Sequence, residues 1–153
     1  MSWTARLSQS SIDAESELRD FMALATGAGA VATFSGIARP SSKQGAALTE
    51  LHLDHYPGMT ERSLERIASD GLDRFDVSHV RVVHRCGSIA PGEVIVFVAA
   101  ASAHRRAAFL AVDYLMDRLK TEAVFWKREQ GIDGAWWIEP TDADRTDRDR
   151  WKD

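Results

Sequence analysis

The stretch "EVIVFVAAASAHRRAAFLAVDYLMDRLK", residues 93–120, decides the fold because the two clearest hydrophobic patterns of the chain stand next to each other in it. Residues 94–102 form an almost continuous apolar run, which is typical of a strand that is covered on both faces. The apolar positions that follow recur at helical spacing. They are Ala108, Ala111, Val112, Leu115 and Leu119. We predict a central strand and then a helix that is capped by Ser102 and ends near Lys120.

Weaker patterns on both sides of this unit predict the other elements. Alternating or β-branched segments at 3–8, 30–39, 48–56 and 79–87 indicate strands, and residues 123–127 turn β-like again. Amphipathic segments indicate one helix that ends near Ala25 and another from about Met59 to Phe75. This order of elements predicts an α+β fold with a mixed or antiparallel sheet.

The composition is that of a single globular domain. The chain has 153 residues, of which 44% are hydrophobic and 27% are charged. We assign residues 1–140 to the domain. Residues 141–153 carry charges of both signs with Trp151 as their one large apolar residue, so we predict a solvated C-terminal tail there.

Charge and cysteine content exclude several classes of function. A formal net charge of -4 gives no basic field, so we expect neither nucleic acid nor a membrane surface as a partner. The single Cys86 excludes an internal disulfide. The first residues lack the apolar segment of a signal peptide, and no run approaches the length of about 20 apolar residues that spans a bilayer. We therefore expect a cytoplasmic protein.

Two lysines stand out in "YLMDRLKTEAVFWKREQG", residues 114–131. Lys120 follows an amphipathic helix and Lys127 follows two aromatic residues, so either ammonium group could be partly desolvated. Desolvation lowers the pKa of an ammonium group and favours a proton donor or an amine nucleophile. The alternative is that both side chains bury only their methylene groups and keep the charge in water. The residues alone leave both interpretations open.

Basic residues also mark the start of the third helix and the end of a strand. His104, Arg105 and Arg106 fall in a first helical turn, where cations are unfavourable unless an anion binds there. Exposed basic residues that pair with acids elsewhere are the alternative. Arg39 precedes a loop rich in turn-forming residues. The histidines lack metal-ligand spacing and no glycine-rich phosphate loop occurs, so we predict no metal site and no cofactor.

Four ordered motifs carry a resemblance to a known family. They are "TFSGIAR", "LDHYPGMTE", "VVHRCGSIAPGEVIVFVAAASAHR" and "YLMDRLKTEAVFWKRE". Together they resemble the large, catalytic subunit of molybdopterin synthase, the MoaE family, over residues from about 30 to 139. The resemblance implies an α/β-hammerhead-type fold with an additional antiparallel β subdomain.

The resemblance also implies an activity and partners. The family converts cyclic pyranopterin monophosphate to molybdopterin, in molybdenum cofactor biosynthesis, with two sulfurs from the thiocarboxylated C-terminal Gly-Gly of a small ubiquitin-fold subunit. Its assembly is a homodimer of large subunits within a heterotetramer. The alternative is a scaffold without catalytic activity that binds a ubiquitin-like protein or a phosphorylated ligand.

The family's functional residues fall on specific positions of this chain. The implied catalytic residues are Lys120 and Lys127. The implied substrate-binding residues are Ile37, Ala38, Arg39, His104, Arg105, Lys120, Lys127, Arg128 and Glu129. Relatives often carry a basic residue where this chain has Ile37, and they can have an arginine near Thr141, where the nearest one here is Arg145.

A distance argument predicts that two copies of the chain share each site. His104 and Lys120 stand at opposite ends of one predicted helix, and at about 1.5 Å per residue their backbones lie roughly 24 Å apart. Two side chains cannot bridge that distance to one small pterin. A two-fold axis can bring the helix start of one copy to the helix end of the other.

Overall fold

The computed structural model describes residues 1–152. They form four helices and eight strands, and the strands make two sheets of four. In chain order they are β1 (Ser2–Ser8), α1 (Ala14–Leu24), β2 (Ala30–Ile37), β3 (Leu48–His55), α2 (Met59–Arg74), β4 (His79–Arg85), β5 (Gly87–Ile89), β6 (Val94–Ser102), α3 (Arg105–Glu122), β7 (Phe125–Gly131), β8 (Gly134–Ile138) and α4 (Asp142–Asp149). The predicted α+β class is confirmed.

The first sheet has the order β1-β4-β6-β2 and is mixed, since β1 runs parallel to β4 while the other pairs are antiparallel. Strand β6 is paired on both edges and covered on both faces, as its apolar run predicts. Val98 and Ala100 pack in the cluster formed with α2 and α3, whereas Phe97 and Ala99 pack in the cluster formed with α1. The alternating side chains of one strand therefore hold helices on both sides.

The second sheet has the order β5-β3-β7-β8, and all its pairs are antiparallel. This is the additional antiparallel unit that the resemblance implies. Its small core contains Leu53 and Ile89 and reaches Ala38, just beyond β2. The end of β2 thus lies where the two sheets meet.

The predicted start of α3 is wrong by two residues. Ser102 is the last residue of β6 and pairs with Ala30, so its backbone stays extended in the ladder. Its hydroxyl group donates to the carbonyl of Asp76 (2.7 Å) and accepts the backbone N–H of His104 (3.2 Å). His104 is the N-cap, and the helix continues through Glu122, beyond the predicted end at Lys120.

The C-terminal segment is a packed helix and not a solvated tail. Thr141 caps α4, and Thr141 and Asp144 exchange backbone-to-side-chain hydrogen bonds of 2.9 and 3.0 Å. Trp151 packs edge-on against Phe75 and Tyr114, with ring centroids 5.8 and 5.5 Å away. The domain boundary at residue 140 stays a prediction, and Asp153 lies outside the described residues.

Across residues 1–152, no helix combines the length and apolar character needed to cross a membrane. In the same part of the chain, no group of three or more histidine, cysteine or acidic side chains is placed to hold a metal ion.

Candidate active site

A cavity of about 550 Å³ lies where the ends of β2 and α3 meet the second sheet and the start of α4. It contains five of the residues that the sequence singled out: Ile37, Arg39, Lys120, Lys127 and Glu129. Further titratable side chains in its wall are Lys43, His84, Glu139 and Asp144. Among the described residues, four cationic groups therefore face three carboxylates across this cavity. With His84 neutral, these groups give the cavity wall a net charge of +1, which favours an anionic ligand.

Lys120 reaches the cavity from the last turn of α3 and is exposed. The carbonyl end of a helix carries the negative pole of its macrodipole, so a cation is favourable there. The exposed ammonium group of Lys120 can meet a ligand that enters from solvent.

Lys127 reaches the same cavity from β7, where it pairs with Leu53 of β3 and Ile138 of β8. Burial, and next the positive charge of Lys120, lower the pKa of Lys127 from 10.5 to about 8, although Asp144 opposes the shift. The partial desolvation that the sequence suggested is thus present at Lys127. Near neutral pH this side chain can both carry a proton and release it.

Helix α2 holds in place the link between the two lysines, residues 121–126. The hydroxyl group of Thr60 is fully buried, donates to the carbonyl of Val124 (2.6 Å) and accepts the N–H of Tyr56 (2.8 Å). The hydroxyl group of Ser63 accepts the N–H of Val124 (3.2 Å). Gly58 has a φ of 85°, which allows the turn into α2. The "HYPGMTE" segment therefore fixes the chain between Lys120 and Lys127.

Two acidic side chains of the wall are anchored within the protein. An oxygen of Glu129 accepts the indole N–H of Trp136 (2.9 Å). Burial opposes ionisation of Asp144, but hydrogen bonds from Thr141 and the charges of Lys120 and Lys127 outweigh it and lower its pKa. Asp144 is therefore a fixed negative charge close to both lysines.

His84 forms a buried part of the wall that the sequence analysis did not single out. Its ring stacks on Phe125 at 4.4 Å between centroids, and its Nδ1 lies 2.8 Å from the carbonyl oxygen of Arg85. Burial is the main cause that lowers its pKa from 6.5 to about 4; the charges of Lys127 and Lys120 add to the effect, against that hydrogen bond. The imidazole is neutral near pH 7.

Four predicted positions lie outside the cavity or offer it little. His104 and Arg105 are exposed at the opposite end of α3 from Lys120. Arg128 alternates to the other face of β7, with its guanidinium 5.9 Å from the ring of Trp137. Ala38 is buried, and its backbone N–H already donates to Glu93 (2.9 Å). Their roles in binding stay predictions.

Arg145, the arginine nearest to Thr141 in the sequence, does not line the cavity. Thr141 lines the cavity, but Arg145 is exposed and pairs with Asp142 at 3.4 Å.

Comparison with known proteins identifies the family. The model of the family described as MoaE protein matches residues 7–122. This chain belongs to the MoaE family. It is 58% identical over 123 residues to the molybdopterin synthase catalytic subunit of Caulobacter vibrioides, with 80% of each chain covered. It is 43% identical over 150 residues to the protein of the same name from Rhizobium meliloti, covering 97% of this chain and 95% of the other. The structure of the molybdopterin biosynthesis MoaE protein from Burkholderia ambifaria superimposes with a TM-score of 0.82 at 37% identity and covers 98% of both chains.

In this member of the MoaE family, the sequence analysis singled out none of four titratable wall residues, which are Lys43, His84, Glu139 and Asp144. His84 stands in the quoted motif "VVHRCG", so its motif position was a usable signal. Lys43 stands in the loop after Arg39, where a functional cation is common. Asp144 had no signal, because a charged tail without a visible hydrophobic pattern gave no reason to place α4 at the cavity.

Proposed function

We propose that this protein is the catalytic subunit of a molybdopterin synthase. It converts cyclic pyranopterin monophosphate to molybdopterin by transfer of two sulfurs, and it acts as a sulfurtransferase in molybdenum cofactor biosynthesis. Membership of the MoaE family and the names of relatives at 43 to 58% identity support this assignment. The observation that carries it is the cavity lined by both Lys120 and Lys127.

The proposed sulfur donor is a small ubiquitin-fold subunit with a C-terminal Gly-Gly thiocarboxylate. A protein named as a catalytic subunit works beside at least one other subunit, which supports a partner chain. A thiocarboxylate is an anion on a narrow, flexible terminus. It fits a cavity with an excess of cationic groups at its wall. The assembly we propose is a homodimer of this chain within a heterotetramer.

Lys120 is the principal catalytic group in this proposal and Lys127 supports it. Each transfer forms a bond between the thiocarboxylate sulfur and a substrate carbon while a carbon–oxygen bond at that carbon breaks. At one carbon the cyclic phosphate opens and the oxygen leaves with the phosphate, and at the other the carbonyl oxygen leaves as water. Water then cleaves the acyl–sulfur bond, so the carrier leaves as a carboxylate and the sulfur stays on the pterin side chain. In this proposal the cationic lysines stabilise the anionic terminus, and Lys120 exchanges the proton that bond cleavage requires.

Arg39 and Lys43 extend the cationic wall toward the end of β2. In this proposal they hold the phosphate of the substrate while the lysine pair meets the sulfur donor. Ile37, also in the wall, is half exposed and supplies apolar contact.

The test is reconstitution from purified components. The protein is mixed with thiocarboxylated carrier and cyclic pyranopterin monophosphate, and both loss of precursor and gain of the dithiolene product are followed. We expect precursor loss that requires the thiocarboxylate, with carrier carrying an ordinary carboxylate as the matched control. A scaffold without catalytic activity would bind both components and leave them unchanged, and that result would remove the proposed function.

A further inference from the structure

His84 presents an unpartnered nitrogen in the wall of the cavity. A carbonyl oxygen can only accept, so Nδ1 carries the proton that is donated to the carbonyl of Arg85. The neutral ring then leaves Nε2, on the opposite edge, unprotonated. Within residues 1–152 this nitrogen has no hydrogen-bond partner, although the whole residue is only 5% exposed. Since Nε2 has no partner and is not sealed from solvent, part of its surface is accessible. We place that surface at the cavity, because His84 lines it.

Packing alone does not explain a histidine here. The stack on Phe125 and the hydrogen bond from Nδ1 to the carbonyl of Arg85 account for the ring and for one of its nitrogens, and neither involves Nε2. An acceptor that faces only the cavity is satisfied by a donor that enters the cavity. The unpaired Nε2 is therefore better explained by a ligand than by the fold.

The surroundings of His84 give its acceptor a specific use. Lys120, Lys127 and Arg39 offer only donors to a ligand. Of the three carboxylates in the wall, Glu129 already accepts from Trp136 and Asp144 from Thr141, and Glu139 is exposed to solvent, whereas His84 is buried. Among these donors, the unprotonated Nε2 can accept a hydrogen bond from a ligand that carries a donor of its own, such as the N–H of a heterocycle.

We propose that His84 is a substrate-binding residue whose Nε2 accepts a hydrogen bond from an N–H group of the bound pterin. The inference rests on the proposed function, because it takes the precursor as the ligand. The lysines and Arg39 then bind the anionic parts of the substrate, and His84 binds the pterin ring. The imidazole stays fixed during binding because Nδ1 and the stack on Phe125 hold it in place.

Two substitutions separate the acceptor from the anchor. His84→Asn keeps an amide N–H near the position of Nδ1 and removes the acceptor at the position of Nε2. His84→Gln reaches the position of Nε2 with an amide oxygen that can accept. Affinity for cyclic pyranopterin monophosphate is measured by calorimetry without any sulfur donor, so that binding is separated from turnover. Thermal unfolding of each variant accompanies the measurement.

We expect His84→Asn to weaken binding about tenfold or more, the usual loss when one buried hydrogen bond is removed, and His84→Gln to retain most of the affinity. Affinity for the carrier should stay unchanged in both variants. Equal affinity of the wild-type and Asn proteins would overturn the role of His84 and leave the proposed function intact. An equal loss of affinity in both variants, together with lower thermal stability, would mean that His84 only supports the cavity wall and does not bind the pterin. If the wild-type protein did not bind cyclic pyranopterin monophosphate, the proposed function would be wrong, and the proposed hydrogen bond from the pterin to His84 would be wrong with it.

A measurement on the wild-type chain covers the case in which the variants do not fold. The imidazole nitrogens of protein with labelled histidine are followed by ¹⁵N NMR, and the precursor is added. The resonance of the unprotonated Nε2 of His84 should move toward the protonated range as it accepts a hydrogen bond. An unchanged resonance at saturating precursor would contradict the proposal.

Discussion

Lys120 and Lys127, seven residues apart in the chain, line the same cavity, and the charge of Lys120 contributes to lowering the pKa of Lys127 to about 8. The two come from different elements, the end of α3 and the third residue of β7. Neither helical nor strand periodicity alone brings them together. The turn between them, held by Thr60 and Ser63, does so.

The first prediction concerns pH. Since the pKa of Lys127 is about 8, its ammonium form dominates at pH 7 and is lost as the pH rises through 8. If the ammonium form supports the anionic sulfur donor, the single-turnover rate should fall about tenfold between pH 7 and pH 9. The Lys127→Arg variant keeps its charge over this range and should lack the decline. A rate that rises through pH 8, or an equal decline in the arginine variant, would assign the titration to another group.

The second prediction concerns the link between the lysines. Thr60→Val removes a buried hydroxyl group and leaves the carbonyl of Val124 and the N–H of Tyr56 without their partner. We expect a loss of about 1–3 kcal/mol in the free energy of unfolding, measured by urea denaturation. Thr49→Val is the matched control, because the Thr49 hydroxyl donates to the carbonyl of Gln130 at an exposed site. Equal stability of the two variants would mean that Thr60 does not hold the link.

The third prediction concerns the C-terminal helix. Trp151 contacts Phe75 and Tyr114, and its indole N–H donates to Asp117 (2.7 Å). Trp151→Ala should cost about 2–3 kcal/mol, less than for a fully buried tryptophan, and should speed proteolysis after residue 140. Trp137→Ala is the control, since Trp137 is 59% exposed. Unchanged cleavage of the Trp151 variant would show that α4 is held by its ion pairs alone.

The fourth prediction concerns the sharing of sites between two copies. His104 lies at the far end of the 18-residue helix α3 and outside the cavity. If a two-fold axis brings it to the partner's cavity, mixing Lys120→Ala with His104→Ala protein should restore roughly a quarter of wild-type activity after subunit exchange. Half of the dimers are then mixed, and each mixed dimer has one intact site.

A second mixture provides the control for this prediction. Lys120 and Lys127 line one cavity of one chain, so Lys120→Ala mixed with Lys127→Ala should restore nothing. If exchange is verified and neither mixture regains activity, His104 serves a separate ligand and the shared site is wrong.

Local pattern predicted the centre of the fold well and its edges less well. The apolar run of β6 and the spacing of Ala111 and Leu115 are local signals, and both elements are present. The predicted cap at Ser102 failed because Ser102 pairs with Ala30, far earlier in the sequence, so β6 extends through this residue and the helix begins only after His104. A capping residue is recognisable from sequence only when no tertiary partner competes for it.

The tail and the cavity show the same limit. Trp151 looked isolated among charges, but Tyr114 and Phe75, which hold it, are distant in sequence. The lysine pair stood out from its apolar and aromatic surroundings, but only the family resemblance favoured a catalytic role. His84 and Asp144 acquire their environment only when several distant segments of the chain meet, and no local pattern encodes that meeting.

The most direct test of the central claim is single-turnover sulfur transfer by the Lys120→Ala protein. Thiocarboxylated carrier and cyclic pyranopterin monophosphate are supplied in excess, and product formation is compared with that of wild-type protein. Lys152→Ala is the control, because Lys152 is an exposed lysine paired with Asp149 at 2.9 Å. We predict a rate lower by about a hundredfold or more for Lys120→Ala, with carrier and precursor still bound, and a normal rate for the control. Near-normal product formation by the Lys120→Ala protein would contradict the account.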